Sequence, residues 1–116
     1  MAADLLVLGV NVPEVPPEEL KRRLDAGEPL QLLDVREPWE YAIAQVPGSV
    51  NIPLNEIPRR LQELGVAGDI VVMCKSGGRS RRAAEYLLTR GFERVGNLSG
   101  GIDAWTREID PSLTPY

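Results

Sequence analysis

Histidine is absent from this 116-residue sequence, and cysteine occurs once. The first absence excludes a Ser-His or Cys-His dyad, a histidine metal site and imidazole acid–base chemistry. The second excludes an intrachain disulfide and any multi-cysteine zinc or iron–sulfur centre. Aromatic residues make up 5% of the chain. Trp39, Tyr41, Tyr86 and Trp105 are scattered, a spacing that predicts core packing rather than an aromatic cage or stacking platform. Positive charge is also scarce: 13 Lys and Arg against 17 Asp and Glu give a net charge of −4. Nucleic acid is therefore not expected as a partner, since phosphate binding needs an accumulated positive surface. No apolar run approaches the ~20 residues that span a bilayer, so no membrane partner is expected. Walker, dinucleotide and metal-ligand spacings are lacking as well, and neither cofactor nor metal is expected. Leu5 to Val10 is apolar, but it is short and follows Asp4 with no basic start, unlike a signal peptide. It reads equally as a partner-docking strand or a frayed terminus. An unpaired thiol without an export signal sets the expectation of a cytoplasmic protein.

What is present describes an ordinary globular chain, 43% hydrophobic and 26% charged. The length predicts one domain over 1–116. Pro16-Pro17-Glu18-Glu19 opens a helix, because proline suits the first turn and acids suit the positive end of the dipole. Leu20 and Leu24 share a face, and Gly27 stops the helix. Leu30 to Val35 reads as a buried strand that delivers Asp34 and Arg36 at its end. Pro38 to Ala44 is a short helix, and Ser49 to Ile52 a second short strand. Asn55 is positioned to cap a helix through Leu64, with Ile57, Leu61 and Leu64 on one face. Asp69 to Met73 is the clearest strand, Arg79 to Arg90 a helix ending at Gly91, and Arg94 to Leu98 the last strand. Gly100-Gly101 then turns into a short helix carrying Ile102 and Trp105; the pair is either a plain turn or a pocket rim. Short apolar strands alternating with helices predict an α/β fold, a central parallel sheet with helices on both faces.

In such sheets ligands bind beyond the carboxyl ends of the strands, which is where Cys74 falls. The segment Cys74-Lys75-Ser76-Gly77-Gly78-Arg79-Ser80 joins the clearest strand to a helix. Successive amides in such a curl form an anion-binding nest backed by the helix N-terminus. Gly77 and Gly78 allow the positive φ that the curl needs. A thiol at its centre is expected to ionise below the ordinary value of about 8.5. A lone cysteine is otherwise a small buried hydrophobe; the glycine turn, the helix start and Arg79 favour the reactive reading. Cations in a first helical turn oppose the dipole, so Arg79, Arg81 and Arg82 make better sense with an anion or thiolate nearby. Arg79 is expected in the pocket, and Arg81 and Arg82 towards solvent or a partner.

Four segments resemble the rhodanese-like sulfurtransferase family in that family's order. They are Asp34-Val35-Arg36-Glu37, Val46 to Leu54, Cys74 to Ser80, and Gly100-Gly101-Ile102-Asp103-Ala104-Trp105. The likeness covers roughly residues 12–110. The ending from Asp103 to Tyr116 resembles most the rhodanese domains attached to molybdopterin-type adenylating enzymes. The resemblance implies a three-layer rhodanese-like fold and an enzyme whose cysteine takes a sulfane sulfur from a donor such as thiosulfate. The sulfur is held as a persulfide and passed to a thiophilic acceptor, cyanide in vitro. Cys74 would be the nucleophile, Lys75, Ser76, Gly77, Gly78, Arg79 and Ser80 would hold the sulfur, and Asp34 and Arg36 would support the loop or form a surface ion pair. A persulfide-donating protein is the alternative donor, and a sulfur-carrier protein a partner. One departure stands out: Gln45 occupies the position where the family usually has histidine. A non-catalytic carrier or docking module is the alternative function. A cysteine-dependent phosphatase or arsenate reductase is disfavoured, because its loop has five residues between cysteine and arginine where Lys75 to Gly78 make four.

Overall fold

The computed structural model describes residues 10–65 and 68–116; the apolar Leu5–Val10 stretch lies outside it apart from Val10. Among these residues, five strands run parallel in the order β1-β5-β4-β2-β3. They are β1 (Glu14–Val15), β2 (Leu30–Asp34), β3 (Val50–Asn51), β4 (Asp69–Met73) and β5 (Val95–Leu98). Four α-helices accompany them: α1 (Pro17–Asp25), α2 (Pro38–Ile43), α3 (Gly78–Leu88) and α4 (Gly101–Glu108). This is the α/β arrangement expected from the alternation of strands and helices.

The central strand shows how apolar sequence is divided between two layers. Side chains alternate across a strand, so Ile70, Val72 and Cys74 enter one core with Ala83, Ala84 and Leu87 of α3. Val71 and Met73 enter the other with Leu20 of α1 and Ile102 and Trp105 of α4. Each fully buried leucine or isoleucine contributes roughly 1.5–3 kcal/mol. The same alternation places the Cys74 thiol on the α3 side of the sheet.

Two expectations need correction, and one strand was not foreseen. The helix from Asn55 to Leu64 is instead two 3-10 turns, Leu54–Arg59 and Leu61–Glu63, preceded by Pro53 rather than capped by Asn55. Pro58 lies inside the first, and it lacks the amide hydrogen an α-helix would require; Ile57 and Leu64 are buried as expected. Trp39 is 62% exposed and does not pack in the core. The sequence reading also lacks β1. It is only two residues between Pro13 and Pro16, and proline is tolerated at a sheet edge. The Pro13 and Val15 carbonyls nevertheless accept the amides of Asn97 and Ser99 at 2.9 Å, which fixes Glu14 beside Asn97.

Candidate active site

Cys74 follows β4 and is 1% exposed. Its Sγ accepts the Gly77 amide at 3.1 Å and lies 3.3 Å from the Ser80 hydroxyl. Burial pushes this thiol up, but hydrogen bonds from the Ser80 hydroxyl and the amides of Ser80, Gly77 and Ser76 outweigh it. The net effect holds Cys74 below the ordinary thiol value. The expected nest is thus present, with one refinement: the positive φ belongs to Gly77 (+117°), while Gly78 begins α3 with no positive φ.

The loop is fixed from below by α4. The Cys74 and Lys75 carbonyls accept the amides of Ile102 at 2.9 Å and Asp103 at 3.1 Å. Gly101, at φ +59°, makes this approach possible: a Cβ there would sit 2.5 Å from the Cys74 carbonyl oxygen. The Gly100-Gly101 pair is therefore a clamp on the loop backbone rather than a plain turn.

Lys75, Arg79 and Arg81 beside the thiol are each paired with a carboxylate. Arg79 grips Glu40 of α2 with two bonds, 2.7 and 3.0 Å. That pairing, against burial, holds Glu40 at about 2 and raises Arg79, which also feels the Cys74 charge. Lys75 binds both Asp103 oxygens, at 3.0 and 3.2 Å, and lies 4.6 Å from the Tyr116 ring centre. Arg81 pairs with Glu14 at 3.0 Å, and Arg82 is exposed.

Asp34 and Arg36 are no surface pair: both are fully buried and bonded at 2.7 Å. Arg36 also donates to the carbonyls of Glu40 (3.2 Å) and Ala44 (2.7 Å) and to the Tyr116 hydroxyl (2.9 Å). Tyr116 in turn donates to Glu40 at 2.9 Å. A continuous chain, Asp34–Arg36–Tyr116–Glu40–Arg79, thus joins the end of β2 to the cysteine loop. Gln45 is exposed and donates to the Tyr41 carbonyl at 3.2 Å.

Sequence reasoning does not find Glu40, Tyr116, Asn97 or Glu14. Tyr116 and Glu14 meet their hydrogen-bond partners across 67 to 85 residues, and no local pattern encodes that. Asn97 did carry a signal, because a polar residue inside a buried strand requires hydrogen-bond partners. Elsewhere, a cleft of 640 Å³ at the opposite end of the strands is lined by Arg23, Glu28, Asp69 and Arg94, which pair with one another. Among the described residues no helix is long and apolar enough to cross a membrane.

The Rhodanese-like domain family matches residues 16–108. A sulfurtransferase of Allochromatium vinosum is 40% identical over 104 residues, covering 90% of this chain and 97% of that protein. The adenylyltransferase and sulfurtransferase MOCS3-1 of Zea mays is 37% identical over 105 residues, 84% of this chain but 22% of its own length. A rhodanese-like domain protein from Staphylococcus aureus superimposes with a TM-score of 0.79 at 30% identity, covering 90% of this chain and 99% of that one. The family match over most of the chain and the similarity to a sulfurtransferase along nearly its whole length show that the chain belongs to the Rhodanese-like domain family, of sulfurtransferases and sulfur carriers.

Proposed function

We propose that this protein is a sulfurtransferase that carries sulfane sulfur as a persulfide on Cys74. The observation that carries the reading is the Cys74 sulfur itself, ringed by amide and hydroxyl donors that favour its anion without any base. The Cys74 thiolate attacks the outer sulfur of thiosulfate, the S–S bond breaks, and sulfite leaves with the bonding pair. The outer persulfide sulfur then bears the negative charge. The amides from Lys75 to Ser80 face that charge, with Gly77 and Gly78 forming the curl, and the Arg79 guanidinium adds its field. Attack by a thiophilic acceptor, cyanide in vitro, removes the sulfur as thiocyanate and returns the thiolate. Asp34 and Arg36 act at one remove, holding Glu40 and Tyr116 and so Arg79.

A second reading, a carrier loaded by a protein's persulfide, is favoured by the charge arrangement. Lys75, Arg79 and Arg81 each face a carboxylate, so a small dianion meets little net positive field. The four-residue spacing to Arg79, and the commitment of that guanidinium to Glu40, argue against a phosphatase.

Intact mass after incubation with thiosulfate tests the proposal. One added sulfur atom is expected, removable by cyanide and never gained by Cys74→Ser. No gain from thiosulfate, followed by a gain from a cysteine desulfurase, selects the carrier reading. No gain from either overturns both.

A further inference from the structure

The Ser80 hydroxyl that faces the thiol is shared with a second buried side chain, Asn97, which the sulfur-transfer chemistry above leaves unused. The Ser80 hydroxyl, fully buried, lies 3.3 Å from Cys74 Sγ and 2.5 Å from the side-chain oxygen of Asn97, which is 2% exposed. The orientation of Asn97 is settled by its amide nitrogen, which donates to Glu14 at 3.1 Å and to the Gly77 carbonyl at 3.2 Å. Its oxygen therefore faces Ser80 and must be an acceptor. Ser80 has a single hydroxyl proton and two acceptors for it.

We propose that Asn97 is a positioning residue that competes with Cys74 for the Ser80 proton and so restrains formation of the Cys74 thiolate. While Cys74 is a thiol, its S–H points to the Ser80 oxygen and the Ser80 proton rests on Asn97, so each of these three side chains is satisfied. Ionisation sends the thiol proton to solvent, and the Ser80 hydroxyl turns to the sulfur. The buried Asn97 oxygen then loses its donor, a penalty charged to the thiolate alone. Once Cys74 bears a second sulfur, the inner sulfur is no longer the anion, and the Ser80 proton returns to Asn97. The competition thus favours the loaded cysteine over the free thiolate. Glu14, fixed opposite Asn97 by the β1–β5 register, holds the amide in the orientation that makes this competition one-directional.

This assignment rests on Cys74 being the sulfur-bearing thiol, yet its test needs no sulfur transfer. The other charged groups around the loop are Arg79 with Glu40, Lys75 with Asp103, Arg36 with Asp34, Arg81 with Glu14, and the phenol of Tyr116. All are unchanged in the variants. Asn97→Leu also leaves its neighbours with partners: the Gly77 carbonyl keeps the Arg81 amide, and Glu14 keeps Ser99 and Arg81. The pH midpoint of Cys74 alkylation by iodoacetamide is measured in the full-length protein. Asn97→Leu is expected to lower it by about half a unit to one unit, Ser80→Ala to raise it, and the double variant to match Ser80→Ala. An unchanged or raised midpoint in Asn97→Leu, or an undiminished Asn97→Leu shift in the Ser80→Ala background, overturns the proposal. Wild-type protein gives a second reading that no folding defect can obscure. The Asn97 side-chain carbonyl carbon resonance should titrate with the thiol midpoint, and should stop titrating when Cys74 is capped with methyl methanethiosulfonate. A carbonyl resonance indifferent to the thiol overturns the assignment. Sulfur loading by mass decides the underlying reading separately.

Discussion

Arg79 stands close enough to Cys74 for its charge to be felt there, yet both of its terminal nitrogens are bound by Glu40. That carboxylate is nearly buried and stays ionised down to about pH 2, since Arg79 outweighs the burial that opposes ionisation. Across the working pH range the pair is therefore close to neutral, and the guanidinium offers an incoming anion less than its formal charge. Removing the negative partner while keeping its shape should release that field. Glu40→Gln is expected to speed Cys74 loading by thiosulfate about three- to tenfold, the effect of one charge at a partly solvated site. The time course of sulfur gain by mass at fixed pH measures it. An unchanged or slower rate would mean that Arg79 works only where Glu40 holds it.

At the scale of elements, what the sequence revealed followed what is local. The run Ile70 to Met73 is apolar on both faces, so its strand was legible. The turn at Cys74 was legible through Gly77 and the helix start behind it. The 3-10 segment was not: Ile57, Leu61 and Leu64 have helical spacing, and Pro58 defeats it by withholding one amide. Strand β1 escaped because two residues between prolines carry no period, and their pairing depends on Asn97 some 80 residues away. Glu40 as the partner of Arg79 and Tyr116 as a partner of Arg36 escaped for the same reason, since each lies far along the chain. The α4 clamp lay between these cases, since the glycine pair was visible and its contact with the cysteine loop was not. Gly101→Ala tests that contact. A methyl group there would strike the carbonyls of Cys74 and Lys75 at a φ of +59°. The positive φ and the overpacking together predict a loss of roughly 2–4 kcal/mol, read by urea unfolding, and with it the sulfur loading. A stable Gly101→Ala protein that loads normally would show that α4 can withdraw without disturbing the loop.

For the whole molecule, the chain Asp34–Arg36–Tyr116–Glu40–Arg79 joins the centre of the sheet, α2, α3 and the last residue of the sequence. Within it, Arg79 lowers the proton affinity of Glu40. The folded value of about 2 lies below the ordinary 4.5, so the unfolded chain binds the proton more readily. The stability this confers is fully present above about pH 4.5 and is lost as pH falls towards 2. Two and a half units would correspond to about 3 kcal/mol, but Arg79 is 36% exposed and water screens part of the attraction. The expected share is therefore about 1–2 kcal/mol. Urea unfolding of wild type and Glu40→Gln across that range isolates it, because glutamine keeps the shape and cannot titrate. The wild-type advantage at neutral pH should shrink steadily below pH 4.5 as Glu40 of the unfolded chain takes up its proton. An advantage that stays constant to pH 3 would place the stabilisation in packing of the side chain. The buried network would then hold the tail and the loop together by shape rather than by charge.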